Sequence, residues 1–179
     1  LSDATGMLLL DVKNRRWSRE MCNVCGISEQ MLPQLHESYE VVGTLRQEIA
    51  DKFGLKDVKI IAGAGDNAAA AVGTGVVGEG GCNISLGTSG TLFVSSASYK
   101  EDKVNALHSF CHADGGWHLM GCILSAASCN SWWVNGILQS TDYKKEEAGL
   151  DDFLGKNDVY FLPYLMGERS PHNDVTARG

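Results

Sequence analysis

The chain has 179 residues, of which 44% are hydrophobic and 21% are charged, and its formal net charge at pH 7 is −7. This acidic balance argues against a general nucleic-acid or anionic-membrane binder, which needs a basic surface. No apolar run approaches the length of a membrane span and no signal-peptide pattern opens the chain, so we expect a cytoplasmic globular protein, either one large domain or parts of two.

Polar caps and glycine stops predict two helices in the first third of the chain. Ser18 is a favoured N-cap for a short helix that ends at Gly26. Thr44 is a favoured N-cap for a helix over residues 45–53, which Gly54 ends. Extended patterns cover residues 7–12, 39–43 and 58–62. This mixture of strands and helices predicts an α/β protein.

The stretch from Lys59 to Gly75 presents a carboxylate and an amide where a strand runs into a helix. A buried strand is predicted over residues 58–62, and an Ala-rich helix follows Asp66 and Asn67. Strand ends in α/β sheets are where ligands usually bind, and glycines allow close approach. The alternative is that Asp66 only caps the helix, since Asp is a favoured N-cap.

Two strand pairs are predicted in the second half of the chain. The first pair, residues 82–86 and 91–95, is joined by Gly87-Thr-Ser-Gly90, whose amides and hydroxyls suit a phosphate. An ordinary hairpin turn uses the same residue types for conformational reasons and stays an alternative. The second pair, residues 107–112 and 117–122, turns at Asp114.

Histidine and cysteine patterns raise two weaker alternatives. His108, His112 and His118 could contribute to a metal site, but core or surface histidines are the preferred interpretation. Cys22-Asn-Val-Cys25 has the spacing of half a zinc site, yet its distance to Cys111-His112 fits no compact zinc finger. The six cysteines are expected to be reduced thiols.

The last third contains a predicted helix over residues 126–138, whose Trp132 and Trp133 we expect in the core. A charged, exposed segment and a strand over residues 158–162 are predicted next. The polar segment 164–174 is too long for a tight turn. Its Glu168-Arg169 pair either holds a loop in place or lies solvated.

Four motifs in this order resemble the FGGY family of carbohydrate kinases. They are Gly65-Asp-Asn67, Leu86-Gly-Thr-Ser-Gly90, Ser125-Ala-Ala-Ser128 and Pro163-Tyr-Leu-Met-Gly-Glu-Arg-Ser-Pro-His172. The resemblance runs through essentially the whole chain but covers only about a third of a complete kinase of this family. It implies a ribonuclease H-like (actin-like ATPase) fold, with parts of two domains flanking an interdomain cleft. Residues 1–77 would end the sugar-binding domain, and residues 78–179 would begin the nucleotide-binding domain.

The resemblance also implies a reaction and a role for particular residues. Similar enzymes transfer the γ-phosphate of ATP, bound with Mg2+, to the terminal hydroxyl of a ketopentose, giving D-xylulose 5-phosphate. Asp66 matches the catalytic base and Asn67 matches a ligand of the sugar hydroxyls. The residues that match the nucleotide site are Gly87, Thr88, Ser89, Ala126 and Asn130.

The family's N-terminal Asp-x-Gly-Thr loop for phosphate and metal is absent from this sequence, as is its C-terminal glycine-rich adenine site. The chain also begins with Leu1, so we expect a piece of a longer enzyme that is inactive by itself. Alternatives are an FGGY kinase for ribulose, gluconate or glycerol, and a non-catalytic actin-like binding module. A homodimer of the full-length enzyme is left open.

Overall fold

The computed structural model describes all residues of the chain, 1–179, as a mixed α/β protein. The strands are β1 (Leu10–Asp11), β2 (Arg16–Trp17), β3 (Val41–Thr44), β4 (Lys59–Ile61), β5 (Cys82–Leu86), β6 (Gly90–Ser96), β7 (His108–Cys111) and β8 (Trp117–Ile123). The α-helices are α1 (Arg19–Val24), α2 (Gln47–Phe53), α3 (Asp66–Gly73), α4 (Ala127–Ser131) and α5 (Tyr143–Glu146), and a π-helical segment, Trp132–Ile137, continues α4. Short 3-10 helices occupy Ala4–Met7, Glu29–Met31 and Leu150–Asp152. None of the helices combines the length and apolarity that crossing a membrane requires.

The strands form three sheets. Two are antiparallel pairs, β1 with β2 and β3 with β4. The third sheet has four strands in the order β5-β6-β8-β7, and β7 pairs with β8 antiparallel as the turn at Asp114 predicted. The Asp114 carboxylate accepts the backbone N–H of Gly116 at 2.8 Å, which stabilises that turn.

The chain packs as two compact units. The first comprises Leu1–Asn83, Phe93–Glu101 and His108–Met120. The second comprises Ile84–Leu92, Asp102–Leu107 and Gly121–Gly179. The domain boundary between residues 77 and 78 therefore stays a prediction, because the first unit runs on past it.

The first unit has a small apolar core around its N-terminal strands. Leu9, Leu10, Trp17 and Cys111 are buried together. The Trp17 indole N–H also donates to the carbonyl of Pro33 at 2.9 Å, so the polar edge of this ring is satisfied inside the protein.

A half-buried guanidinium network holds the β7–β8 turn in the same unit. Arg15 donates to the carbonyls of Gly115 at 2.6 Å and Gly116 at 2.7 Å, and it pairs with Glu37 at 3.0 Å. The guanidinium also lies 4.5 Å from the ring centre of Trp117. A planar cation with several donors suits this combination of carbonyls, carboxylate and ring.

Local signals predicted some helix ends correctly and others wrongly. The Ser18 side chain accepts the N–H of Met21, and the helix that follows stops before Gly26, as predicted. Gly54 ends α2 in a left-handed conformation, also as predicted. The prediction that Thr44 caps α2 is wrong, because Thr44 is the last residue of β3 and Arg46 occupies the N-cap position.

Three burial or strand predictions are also wrong. β4 is exposed along its length, because it pairs only with the exposed β3. Trp132 and Trp133 are 41% and 50% exposed rather than in the core. Residues 158–162 form no strand and are exposed, since no neighbouring strand pairs with them.

Most of the cysteines and two of the histidines lie inside the protein. Cys25 and Cys82 are exposed, the other four cysteines are buried, and all six are free thiols. His112 and His118 are buried in the first unit.

Candidate functional site

Asp66 is the first residue of α3, and Gly65 occupies the N-cap position before it. The prediction that Asp66 caps this helix is therefore wrong, because the cap residue has no side chain. Asp66 Oδ1 instead accepts the backbone N–H of Asn67 at 2.7 Å and the Asn67 side-chain amide at 3.0 Å. These contacts place the two predicted sugar-site residues side by side at the start of the helix.

The segment that leads into α3 is held by the N-terminus of the first unit. Ser2 accepts the N–H of Gly65 at 3.2 Å, and its hydroxyl lies 2.8 Å from that of Ser38. A Cβ on Gly65 would lie 3.4 Å from Asp3, an ordinary contact distance, so this segment packs directly against the N-terminal residues. The backbone before Asp66 is thus fixed by packing as well as by hydrogen bonds.

The carboxylate of Asp66 lies at a small pocket of about 120 Å³ within the first unit. We call it the Asp66 pocket; its lining residues are Ser2, Asp3, Gly6, Gly65, Asp66, Asn67, Ala68, Phe110, His118 and Met120. Asp66 itself is exposed, Asn67 is half-buried, and Ala68 behind them is buried. The pocket therefore combines two carboxylates, those of Asp3 and Asp66, and the Asn67 amide with the apolar side chains of Phe110 and Met120.

His118 is the buried titratable group of this pocket. Its ring stacks on Phe93 with 3.9 Å between ring centres, and it is 3% exposed. Burial, together with the neighbouring His112, lowers the pKa of His118 to about 3, while Asp114 opposes the shift. His118 is therefore neutral at physiological pH and adds no positive charge beside Asp66.

The second group of predicted residues lies in the second unit, at the turn between β5 and β6. We call residues 87–89 the Thr88 turn; all three are exposed. The Gly87 N–H donates to the carbonyl of Ser89 at 3.0 Å, so this amide is already used inside the turn. The hydroxyls of Thr88 and Ser89 and the remaining amides are the groups through which an anion could bind.

The start of α4 holds the Thr88 turn from one side. The Thr88 carbonyl accepts the N–H of Ala126 at 2.9 Å and the hydroxyl of Ser128 at 2.8 Å. The Gly87 carbonyl accepts the N–H of Ala127 at 2.9 Å. These bonds turn the carbonyls of Gly87 and Thr88 toward the start of α4.

Ala126 is thus brought directly against the Thr88 turn, as the N-cap residue of α4. Asn130 lies one turn further along the helix, where it is exposed. Its side-chain amide donates to Glu147 at 2.7 Å. A nucleotide contact by Asn130 would have to replace or share this hydrogen bond.

Sequence reasoning named two further residues, His118 and Glu168, without deciding whether they are buried. His118 lies on the buried face of β8 with Met120 and Cys122, although the apolar Trp117, Leu119 and Ile123 lie on the other face, so the order of polar and apolar residues does not identify it. Glu168 was left either holding a loop or solvated; it is 2% exposed, whereas its neighbour Arg169 is exposed. The order of residue types around Glu168 gives no signal of that burial.

Comparison with known proteins assigns the family. Residues 1–73 match the N-terminal domain of the FGGY family of carbohydrate kinases. The chain is 43% identical to a xylulose kinase of Klebsiella pneumoniae over 182 residues, which is all of this chain and 37% of the relative. The chain belongs to the FGGY family of carbohydrate kinases.

Solved structures give the same assignment. A crystal structure of a xyloylose kinase from Brucella ovis superposes with a TM-score of 0.88 at 44% identity, over 99% of this chain and 37% of that one. A gluconate kinase from Lactobacillus acidophilus superposes with a TM-score of 0.76 at 26% identity, over the same shares of the two chains. The FGGY chain therefore has the ribonuclease H-like (actin-like ATPase) fold of sugar kinases and spans about 37% of the length of the relatives it matches.

Proposed function

We propose that the full-length protein containing this chain transfers the γ-phosphate of MgATP to the terminal hydroxyl of D-xylulose. The observation that carries the proposal is the Asp66-Asn67 pair at the start of α3, within a chain 43% identical throughout to a xylulose kinase. We also propose that the enzyme is cytoplasmic, since all six cysteines are free thiols.

In the proposed reaction Asp66 is the general base. Its carboxylate accepts the proton of the terminal hydroxyl while that oxygen attacks the γ-phosphorus. The new O–P bond forms, the bond to the β–γ bridging oxygen breaks, and ADP leaves. Phosphoryl transfer depends mainly on positioning and charge stabilisation, so one well-placed proton acceptor is sufficient.

Asn67 orients the sugar in this proposal. An amide both donates and accepts hydrogen bonds, which matches a hydroxyl group of the ketose. The hydrogen bond from its amide to Asp66 Oδ1 at 3.0 Å fixes the two groups relative to each other. The neutral His118 in the same pocket leaves Asp66 without a competing cation there.

The Thr88 turn and Ala126 bind the phosphates of ATP in this proposal, and Asn130 contributes to the nucleotide site. Mg2+ enters with the nucleotide as part of the substrate. The exposed hydroxyls of Thr88 and Ser89 supply neutral donors, which bind phosphate oxygens without adding charge. The fixed carbonyls of the turn keep these donors in one arrangement before the nucleotide arrives.

Replacing the base is the direct experiment. Asp66→Asn in the full-length protein keeps the side-chain shape but removes the proton acceptor, so kcat should fall by about 10²- to 10⁴-fold. The measurement is ADP formation that depends on both xylulose and ATP. Asp57→Asn is a matched control, because Asp57 is exposed and lies in a left-handed conformation that Asn tolerates.

Three outcomes would contradict the proposal. An Asp66→Asn protein that turns over like the wild type would remove Asp66 from the mechanism. A wild-type protein that phosphorylates gluconate, ribulose or glycerol in preference to xylulose would correct the substrate. A wild-type protein that binds ATP without any sugar phosphorylation would favour the non-catalytic binding module.

A further inference from the structure

Glu168 is a buried carboxylate whose two oxygens differ in their hydrogen bonding. It is 2% exposed. Oε1 accepts the backbone N–H of Leu124 at 3.0 Å and that of Arg169 at 2.7 Å. Oε2 is buried and has no hydrogen-bond partner. Burying a carboxylate oxygen without a partner costs stability. A contribution to stability therefore does not explain why a carboxylate lies here.

The loop that carries Glu168 is anchored on both sides within the second unit. Glu168 and Asp174 exchange backbone hydrogen bonds of 2.8 and 2.9 Å. The Ser170 N–H donates to the carbonyl of Cys122 at 3.0 Å, and its hydroxyl donates to Ala106 at 2.9 Å. The carboxylate is therefore presented to Leu124 from a fixed backbone.

Leu124 lies between β8 and α4, two residues before Ala126. Ala126 begins α4, and its N–H donates to the Thr88 carbonyl at 2.9 Å. The Ser128 hydroxyl donates to the same carbonyl at 2.8 Å. A short series of bonds thus connects Glu168 to the Thr88 turn through the segment 124–128, all within one unit.

We propose that Glu168 is a positioning residue for the Thr88 turn, acting through Leu124 and the start of α4. The inference rests on the proposed function, in which that turn binds the phosphates of ATP. Glu168 touches neither substrate. It fixes the segment that holds the Thr88 carbonyl, and thereby fixes the hydroxyls and amides on the other side of the turn.

The proposal assigns the effect to the reach of the carboxylate and not to its charge. Glu168→Asp keeps the charge but withdraws the acceptor by about 1.5 Å, the length of one C–C bond. Glu168→Gln removes the charge but keeps an oxygen that reaches both N–H groups. The two variants therefore separate the two explanations.

The experiment uses the full-length protein and measures KM for ATP and for xylulose separately. Glu168→Asp should raise KM for ATP about tenfold, because the segment that fixes the Thr88 turn is displaced, and should leave KM for xylulose unchanged. Glu168→Gln should keep both constants within about twofold of wild type. Glu20→Gln removes a charge at an exposed position and is the matched control.

Several outcomes would overturn the proposal. Impairment by Glu168→Gln but not by Glu168→Asp would show that the charge acts and not the reach. Equal impairment by both variants, or a parallel rise of both KM values, would show a general structural role. An unchanged KM for ATP in Glu168→Asp would remove the connection. If that variant fails to fold, Ser128→Ala tests the same connection nearer the turn, and an unchanged KM for ATP would again overturn it.

Direct titration with ATP separates this inference from the proposed function. If the wild type binds ATP but phosphorylates no sugar, the proposed reaction fails while the positioning role is still measured as a weaker Kd in Glu168→Asp. If the wild type phosphorylates xylulose and Glu168→Asp binds ATP equally well, only the positioning role fails. A wild type that does not bind ATP overturns both.

Discussion

At the scale of single residues, His118 is a titratable side chain that is almost entirely removed from solvent. It is enclosed by Phe93, Phe110 and His112, with ring-centre distances of 3.9, 5.6 and 5.8 Å. Both of its ring nitrogens are buried without hydrogen-bond partners. Nothing in this enclosure stabilises a positive charge except Asp114, so the neutral imidazole is strongly favoured.

Acid should therefore destabilise the folded protein through His118. Its pKa is about 3 in the folded state and near 6.5 in the unfolded state, so the unfolded chain takes up the proton first. The contribution of neutral His118 to the free energy of unfolding is fully present above pH 6.5. It is lost as pH falls toward 3, by about 3 kcal/mol between pH 7 and pH 4. Urea unfolding of the full-length protein across this pH range measures the loss.

The matched variant for this prediction is His118→Gln, which cannot titrate in this range. It should reduce the dependence of the urea midpoint on pH, whatever its effect on stability at pH 7. An unchanged pH dependence would mean that other groups cause the acid sensitivity.

At the scale of elements, the sequence predicted those helix ends that depend only on neighbouring residues. The cap at Ser18 and the stop at Gly54 each depend on one residue and its immediate neighbours, and both predictions are confirmed. Whether residues 158–162 pair as a strand, or whether β4 is buried, depends on segments distant in the chain. No periodicity in the segment itself contains that information.

The same distinction applies to the candidate site. The sequence placed Asp66 and Asn67 at a strand-to-helix junction, and β4 and α3 confirm that placement. It also grouped the residues of the Thr88 turn. The bonds from α4 to that turn and the burial of Glu168 are long-range contacts, and only the folded chain reveals them.

Close packing at Gly90 gives a prediction for one element junction. A Cβ there would lie 2.9 Å from Ile123 and 3.2 Å from Ala126, both beside the Thr88 turn. Gly90→Ala should therefore destabilise the protein by about 1–3 kcal/mol through overpacking. Thermal unfolding measures the effect, and KM for ATP should rise in parallel because Ala126 is displaced.

Gly73→Ala is the control for that substitution. Gly73 is the last residue of α3, and a Cβ there meets nothing within 4 Å. Alanine at a helical position should stabilise slightly, by about 0.5–1 kcal/mol. A stable Gly90→Ala protein would show that Ile123 and Ala126 yield without cost.

At the scale of the whole molecule, length decides which activity the described residues can carry. The chain spans about 37% of its relatives and contains the proposed base and part of the proposed phosphate site. The Asp-x-Gly-Thr loop and the glycine-rich adenine site of the family are not in these 179 residues. The fold and family were predicted from motif order. The exposure of strands such as β4 could not be predicted, because it depends on which other segments pack against them.

Residues 1–179 expressed alone should therefore show no turnover that depends on both ATP and xylulose. A coupled ADP assay, with the full-length protein as positive control, measures this. Turnover by the 179-residue polypeptide would mean that the described residues suffice for catalysis.

The distribution of the cysteines gives this polypeptide a built-in measure of its own folding. Two thiols, Cys25 and Cys82, are exposed, and the other four are buried. A thiol reagent therefore counts two fast-reacting groups in a folded chain and six in an unfolded one. The ratio separates a polypeptide that is inactive because it is incomplete from one that is inactive because it is unfolded.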